Sequence, residues 1–272
     1  MVKTAVGKPR GVLNRKAGEE KFRLSLHPPA PDLAFFVEQY WIVNWDLRGQ
    51  EPYRQEILTH PCVHLVFERG KSRIVGVVTG KFSYLLEDRG RVLGVKFRPG
   101  AFYPFVKSPV SRFTDGSIRL QDAFDVESAA LEAAILSPED EGTMIERAEN
   151  FLRARLPERD ENVEVINRIV DRIVADRAIT KVDDVVSRLD VNKRTLQRIF
   201  RQYVGVSPKW VIKRYRLHEA AEQMAAGEVV DWPTLALDLG YFDQAHFIRD
   251  FRTLVGRTPA EYAKNIGLGA GR

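Results

Sequence analysis

Six side chains between Lys193 and Arg201 are of the types that hold or read nucleic acid: Lys193, Arg194, Thr195, Gln197, Arg198 and Arg201. An arginine guanidinium matches guanine O6 and N7 as a double donor, and a glutamine amide matches adenine N6 and N7. Either cation can instead neutralise a backbone phosphate, so for each arginine both base readout and phosphate contact stand. Leu196, Ile199, Phe200 and Tyr203 fall between them at helical spacing, which puts the polar set on the outward face. From Lys193 to Arg216 there are eight basic residues and no acidic one: Lys193, Arg194, Arg198, Arg201, Lys209, Lys213, Arg214 and Arg216. A solvated helix face mixes signs, so this imbalance points to a polyanion partner. A second outward set comprises Gln244, Ala245, His246, Arg249 and Arg252. It is less basic and includes Asp250 nearby, so weak readout or backbone positioning is expected of it.

A third constellation lies near the N-terminus. Strand alternation would put His60, Cys62, His64, Val66 and Glu68 on one face. Two His, a Cys and a Glu could bind a transition metal, as in a cupin-like barrel. Residues two or four apart on a strand are roughly 7 or 13 Å apart, too far for one ion to collect them. A polar lumen or wet outer face is the expectation, with no metal and no cofactor. Arg98, before Pro99-Gly100, could pair an anionic ligand or a buried carboxylate, and the structural role is preferred. Trp41, Trp45 and Tyr103 are expected in the core.

The elements that position the two outward sets form a repeat. Asn192 to Pro208 and Asp243 to Pro259 align at an offset of 51 residues. Asn192 meets Asp243, Leu196 meets Phe247, Arg198 meets Arg249, Phe200 meets Phe251 and Arg201 meets Arg252. Val204 meets Val255, Gly205 meets Gly256, Ser207 meets Thr258 and Pro208 meets Pro259. Such a repeat outweighs other cues. Asn192 and Asp243 read as N-caps. Gly205 and Gly256 read as left-handed helix ends, and Ser-Pro or Thr-Pro as the start of the next helix. A helix from Val163 to Ala175 with one apolar stripe is expected to open this half. The next helix, near Val182 and capped by Thr180, leads by the turn Asp190-Val191-Asn192 into the first repeat helix, a helix-turn-helix. Pro208 to Ala226 reads as one connecting helix ended by Gly227, spanning roughly 28 Å. A turn of B-DNA is about 34 Å, so two recognition helices on such a rod could enter successive major-groove segments. Trp232 to Leu239 and Pro259 to Asn265 are the remaining helices.

From Pro31 to about Leu120 the pattern is β. Runs at Phe35–Trp45, Glu56–Thr59, Cys62–Glu68, Arg73–Val78, Lys81–Leu86 and Val92–Phe97 are separated by Gly, Pro and charged turns. These favour a barrel or sandwich. Asp122–Leu136 reads as a helix, as does Pro138–Leu156 capped by Ser137. Pro157 to Asn162 is polar and marks a boundary. The fold class expected is α+β in two domains: a β-rich barrel or sandwich, in one variant cupin-like, plus helices, then an all-α domain with two helix-turn-helix units. The division expected is a mobile tail over 1–22, a β-rich sensor or dimerisation domain over 23–157, and a DNA-binding domain over 158–268.

With 272 residues the chain has length for two domains, each with its own core. A net charge of +5 says little by itself. The single cysteine, Cys62, allows no internal disulfide. No segment reads as a signal peptide or membrane span, so the cytoplasm is the expected location. No Ser/His/Asp set, P-loop or Cys/His cluster points to catalysis, and an enzyme is not expected.

Residues 163 to 265, about 40% of the chain, resemble the DNA-binding domain of the AraC/XylS family of bacterial transcription regulators. The resemblance is carried by Gly205-Val206-Ser207-Pro208, Tyr215-Arg216-Leu217 and Ala220-Ala221. It continues in Leu235-Ala236, Leu239-Gly240-Tyr241-Phe242-Asp243, Phe247, Arg249, Phe251, Gly256, Thr258-Pro259 and Glu261-Tyr262. Asp250 departs from the pattern. Trp41, Ile57-Leu58, Cys62 to Phe67 and Gly94 to Gly100 resemble a β-rich sensor-like domain found ahead of such DNA-binding domains. The resemblance implies promoter binding by two helix-turn-helix units joined by a linker helix. The partners it implies are double-stranded promoter DNA, RNA polymerase, a small-molecule effector of unknown identity and a second copy of the chain. Two other readings are a cupin-like metal enzyme fused to a DNA-binding module and a non-specific architectural DNA binder.

Overall fold

Aromatic and β-branched runs in the first half form eight strands in a computed structural model that describes residues 18, 20–225 and 231–265. Most of the tail expected over 1–22 (1–17 and 19) lies outside the described residues, as does Gly227. The strands are β1 (Arg23–His27), β2 (Val37–Asp46), β3 (Tyr53–Ile57), β4 (His64–Glu68), β5 (Arg73–Val75), β6 (Phe82–Leu86), β7 (Arg89–Phe97) and β8 (Ser117–Arg119). Six of them make an antiparallel sheet in the order β1-β2-β7-β4-β5-β8, while β3 and β6 pair separately. The arrangement is sandwich-like and open, with no closed barrel.

β7 begins at Arg89, earlier than the expected Val92, and two of its glycines face tryptophans of β2. Gly94 pairs with Trp41 and Gly90 with Trp45 across the β2–β7 ladder. A Cβ on Gly94 would lie 1.9 Å from the Trp41 ring, and one on Gly90 2.0 Å from the Trp45 ring. Each indole therefore lies over a glycine on a half-buried face, rather than in the core as expected. Tyr103, also expected in the core, is half-buried against Tyr203, with ring centroids 4.1 Å apart.

The His60–Glu68 face does not exist as one surface, because β4 starts only at His64. His60 stacks on His218 with ring centroids 4.2 Å apart. The Cys62 thiol lies 3.8 Å from Glu38 Oε2. Glu68 accepts from the Tyr84 hydroxyl and faces Arg73. His64 Nδ1 accepts a hydrogen bond of 3.1 Å from the Trp41 indole. Among the described residues no three His, Cys, Asp or Glu side chains come together to hold a metal. Arg98 Nε donates to the Ala34 carbonyl at 2.9 Å, a structural contact made to backbone in place of a buried carboxylate.

The helices that follow are α1 (Tyr103–Val106), α2 (Leu120–Phe124), α3 (Ser128–Leu136) and α4 (Glu141–Arg153), with a 3-10 turn at Val110–Phe113. The single helix expected over 122–136 is two. Asp125 takes a left-handed φ of 51°, and the Glu127 carboxylate restarts the chain by accepting from the Ala130 N–H. The next helix starts at Glu141 and not Pro138. Asp140 caps it, accepting from Thr143 N at 2.7 Å, while Ser137 ends the helix before. A carboxylate at that position also meets the positive end of the helix dipole.

The second half comprises α5 (Glu161–Ala175), α6 (Val182–Leu189), α7 (Lys193–Ile199), α8 (Pro208–Ala225), α9 (Trp232–Asp238), α10 (Gln244–Val255) and α11 (Pro259–Asn265). Asp160 caps α5, so the helix begins inside the polar stretch expected to be a boundary. Two separate cores were expected, one per half, but packing divides differently. One apolar cluster runs from Leu33, Tyr40 and Phe97 through Phe102 and Phe151 to Ile166, Phe200 and Ile212. The other gathers Leu217, Met224, Leu235, Phe247 and Phe251 around α8–α11 and takes in Leu58 from the β-rich half.

Two stability outcomes follow. Gly205 has a φ of 94°, and an added Cβ would sit 2.8 Å from Thr114 Oγ1 and 3.0 Å from Val110 Cγ1. Gly205→Ala is expected to cost about 1–3 kcal/mol in denaturant unfolding, combining the φ penalty with the clash. His64 is held neutral by burial and by the Lys96 charge, which push it from 6.5 down to about 3. Its folded pKa lies below the unfolded one, so it binds protons only when unfolded as pH falls from 6.5. The stability it costs grows as pH drops, by up to about 1.4 kcal/mol per unit. His64→Gln keeps an acceptor for Trp41 and should flatten the acid limb of a stability curve between pH 6.5 and 5.

Candidate nucleic-acid interface

The first recognition helix is built by its caps. The Asp184 carboxylate accepts from the N–H groups of Thr180 and Lys181, both at 3.0 Å, so α6 is capped at Lys181 and not at Thr180. Asp190 turns the chain with a φ of 49°. Asn192 Oδ1 then accepts from Arg194 N at 2.9 Å and Thr195 N at 3.1 Å, which satisfies the free donors at the start of α7. The helix continues through a π-turn over Phe200–Val204, closed by Gly205 N donating to Phe200 O at 2.9 Å.

Leu196, Ile199, Phe200 and Tyr203 are buried; Asn192, Lys193, Arg194, Thr195, Gln197, Arg198 and Arg201 are exposed. The inner face is fixed from two sides. The Tyr203 hydroxyl donates to Asp160 at 2.8 Å and accepts from Asn162 at 3.1 Å. Gln202 donates to the Tyr103 hydroxyl at 2.7 Å, and Thr114 Oγ1 donates to the Gly205 carbonyl at 2.9 Å. Lys193 is paired with Asp183 at 2.7 Å, which lowers the carboxyl pKa of Asp183 through the side-chain hydrogen bond. Among the described residues Arg194, Arg198, Arg201 and Lys209 have no ion pair.

The basic run therefore shrinks on folding. Arg214 and Arg216, counted from sequence with the polyanion face, are fully buried on the linker helix. Arg214 Nη2 donates to the Thr79 carbonyl at 2.7 Å, and its guanidinium lies 4.5 Å from the Trp210 ring centre. Burial draws its pKa down to about 10, and it remains a cation at neutral pH. Arg216 donates to the Ile173 carbonyl and lies 3.1 Å from Glu219. Both are structural because α8 is covered on most of its circumference. Their sequence positions give no sign of that.

The second unit repeats the scaffold. Asp243 accepts from His246 N at 2.7 Å to cap α10, and Gly256 ends it with a φ of 84°. Thr258 Oγ1 accepts from Glu261 N while the Glu261 carboxylate accepts from Thr258 N, a reciprocal cap on α11. Phe247, Phe251 and Val255 are buried. Arg249 and Arg252 are exposed, and Gln244 and His246 are half-buried. Asp250 faces the linker helix, where its carboxylate accepts from Lys213 Nζ at 2.6 Å, and His246 Nε2 lies 3.7 Å away. Burial and this carboxylate raise the Tyr241 hydroxyl pKa. Asp250 thus ties the second recognition helix to α8 and cancels Lys213.

The β-rich half touches both units. Glu56 pairs with Arg257 at 2.6 Å and with Lys81. His218 Nε2 donates to the Thr59 carbonyl at 3.1 Å. Ser111 and Arg112, in the 3-10 turn, share a groove of about 580 Å³ with Gln197, Arg198 and Arg201. Nothing in the sequence singled out Arg112, which lies far from the repeat.

Comparison with known proteins agrees with the two-part architecture. Residues 25–119 match a family described as a domain of unknown function (DUF6597), and residues 185–265 match a helix-turn-helix domain family. The probable transcription factor PqrA of Proteus vulgaris is 31% identical over 87 residues, which are 31% of this chain and 69% of PqrA. An uncharacterized HTH-type transcriptional regulator of Haemophilus influenzae is 26% identical over 87 residues, and this chain spans only 29% of its length. The HTH-type regulator YtdP of Bacillus subtilis is 32% identical over 81 residues, 10% of its own length. Among solved structures, ToxT from Vibrio cholerae aligns over 95% of this chain and 96% of its own, at 13% identity and a TM-score of 0.37. With two capped helix-turn-helix units joined by one helix, and relatives of this kind, the chain belongs to the AraC/XylS family of helix-turn-helix transcription regulators.

Proposed function

We propose that the protein is a sequence-specific DNA-binding transcription regulator. Its two recognition helices enter successive major-groove segments on one side of the duplex. The observation that carries this reading is the first recognition helix. Arg194, Gln197, Arg198 and Arg201 stand exposed on a helix capped by Asn192 and held from behind by buried aromatics. Arg194 and Gln197 lie in the early part of the helix, where base edges are read. Asn192, Lys193, Thr195, Arg198 and Arg201 then contact bases or phosphates. On the second helix Gln244, His246, Arg249 and Arg252 do so more weakly. The linker helix has 18 residues and so spans about 27 Å, which suits adjacent groove segments.

In this reading residues 158–268 bind promoter DNA. Residues 23–157 sense a small molecule or mediate pairing with a second copy. RNA polymerase is the downstream partner at the promoter, the site of action is the cytoplasm, and no catalytic step is involved. Among the described residues no helix is long and apolar enough to cross a membrane.

Selection of bound duplexes from a random pool, followed by competition binding, tests the reading. Arg194→Ala and Gln197→Ala should each relax preference at particular base pairs by about 1–3 kcal/mol, whereas Lys209→Ala should weaken all sequences alike. If no substitution on either outward face changes binding, the reading fails; if binding is tight but blind to sequence, the architectural reading replaces it. Asp250→Asn should release Lys213 and remove a negative charge beside the second recognition helix. Binding should then tighten on every duplex, and the slope of log affinity against log salt should steepen by about 1. Weaker binding would instead show that the Lys213–Asp250 tie is needed to hold that helix in place.

A further inference from the structure

We propose that the β-rich half itself contacts DNA. The 3-10 turn Val110–Phe113 and the first recognition helix together form a seat for a sugar-phosphate strand, and Arg112 is the β-rich half's contact to it. The inference rests on the DNA-binding reading above and adds a residue outside the helix-turn-helix units.

Three observations carry it. The first is charge. Arg112 is exposed and lines one groove with Arg198 and Arg201. A second groove of about 380 Å³ shares Ser111, Gln197 and Arg201 with it and adds Lys209. No residue lining either groove is acidic. Among the described residues none of these cations has an ion pair, and the Arg112 guanidinium makes only a long hydrogen bond of 3.4 Å to Ser108 Oγ. Like charges facing one void repel one another, and a polyanion strand is the counterion that such a void lacks.

The second observation is position. Gln197 and Arg201 are one helical turn apart on the outward face of the helix that enters the major groove, so the strand bordering that groove runs past them. Arg112 lines the same groove as both.

The third is rigidity. Val110 and Phe113 are buried in the main core. Thr114 Oγ1 donates to the Gly205 carbonyl, and a Cβ on Gly205 would touch Val110. The turn cannot swing from the recognition helix without opening this packing, so a duplex that engages the helix meets the Arg112 backbone already placed. Only the side chain then remains to be ordered on binding.

The test uses the full chain with Arg112→Ala, Arg112→Glu and Arg112→Lys, each titrated with a pool-selected duplex and a random-sequence duplex at several salt concentrations. Arg112→Ala should weaken both duplexes by the same factor, roughly three- to tenfold, with no change in base preference and a salt slope shallower by about 1. Arg112→Glu should weaken binding further, and Arg112→Lys should restore most of it. Arg112 is exposed, and circular dichroism of each variant checks that the fold is intact. Unchanged affinity and slope in both Ala and Glu variants would overturn the proposal. So would tighter binding, which would make the turn an obstruction to the duplex. If wild-type protein binds no duplex, the regulator reading falls with it. If Arg194→Ala impairs binding while the Arg112 variants match wild type, only this inference falls.

Discussion

A guanidinium with no exposed surface lies between the two halves of the molecule. Arg214 sits on the linker helix, its Nη2 bonded to the Thr79 carbonyl and its plane near Trp210. A buried cation is costly unless it is hydrogen-bonded, and removing its partner leaves the cost uncompensated. The β-rich half supplies that carbonyl. The linker helix also carries Lys213, which holds the second recognition helix through Asp250, and His218, which bonds Thr59 and stacks on His60. The position of both recognition helices thus depends on how the linker helix seats against the strands.

The two units are fastened differently. The first shares a continuous core with the sheet, through Phe200, Val204 and Ile212. The second has its own core and touches the β-rich half at Leu58 and through the Glu56–Arg257 ion pair. Apolar burial is non-directional and is not screened by ions, whereas partly exposed ion pairs are. The first recognition helix is therefore the fixed one and the second the more easily displaced. A ligand held by the β-rich half can alter DNA affinity only by binding the docked and displaced arrangements unequally.

Much of this was legible because it is local. A cap is satisfied within three or four residues, so Asn192, Asp243, Gly205 and Gly256 could be read from spacing alone. Inward and outward faces followed from helical period. What was not legible depends on distant chain. Arg214 and Arg216 have the same chemistry as Arg198, and only the packing of strands and α5 around the linker helix buries them. Asp125 and Asp140 are the same residue type, yet one breaks a helix at a left-handed φ and the other starts one. The His60–Glu68 alternation failed because the strand begins four residues late, so that His60 meets the linker helix instead of the sheet. Arg112 carries no local pattern at all, because the groove that gives it meaning is made by residues some ninety positions later.

Unequal recognition helices on one chain have a consequence for the complex proposed here. A symmetric dimer presents the same surface to each half-site and has no preferred direction along the duplex. Among the described residues the first recognition helix carries three arginines without an ion pair, Arg194, Arg198 and Arg201, while the second carries two, Arg249 and Arg252, and has the neighbouring Lys213 tied to Asp250. Counterion release scales with the phosphates neutralised, so the first half-site gains the larger share of the electrostatic affinity. The sheet is packed against that same unit, with the Val110–Phe113 turn beside it. Binding in one orientation along the sequence therefore always places the β-rich half on the flank of the first half-site. A second copy or another protein at the promoter would meet a defined side of the complex, although no symmetry of the site requires it.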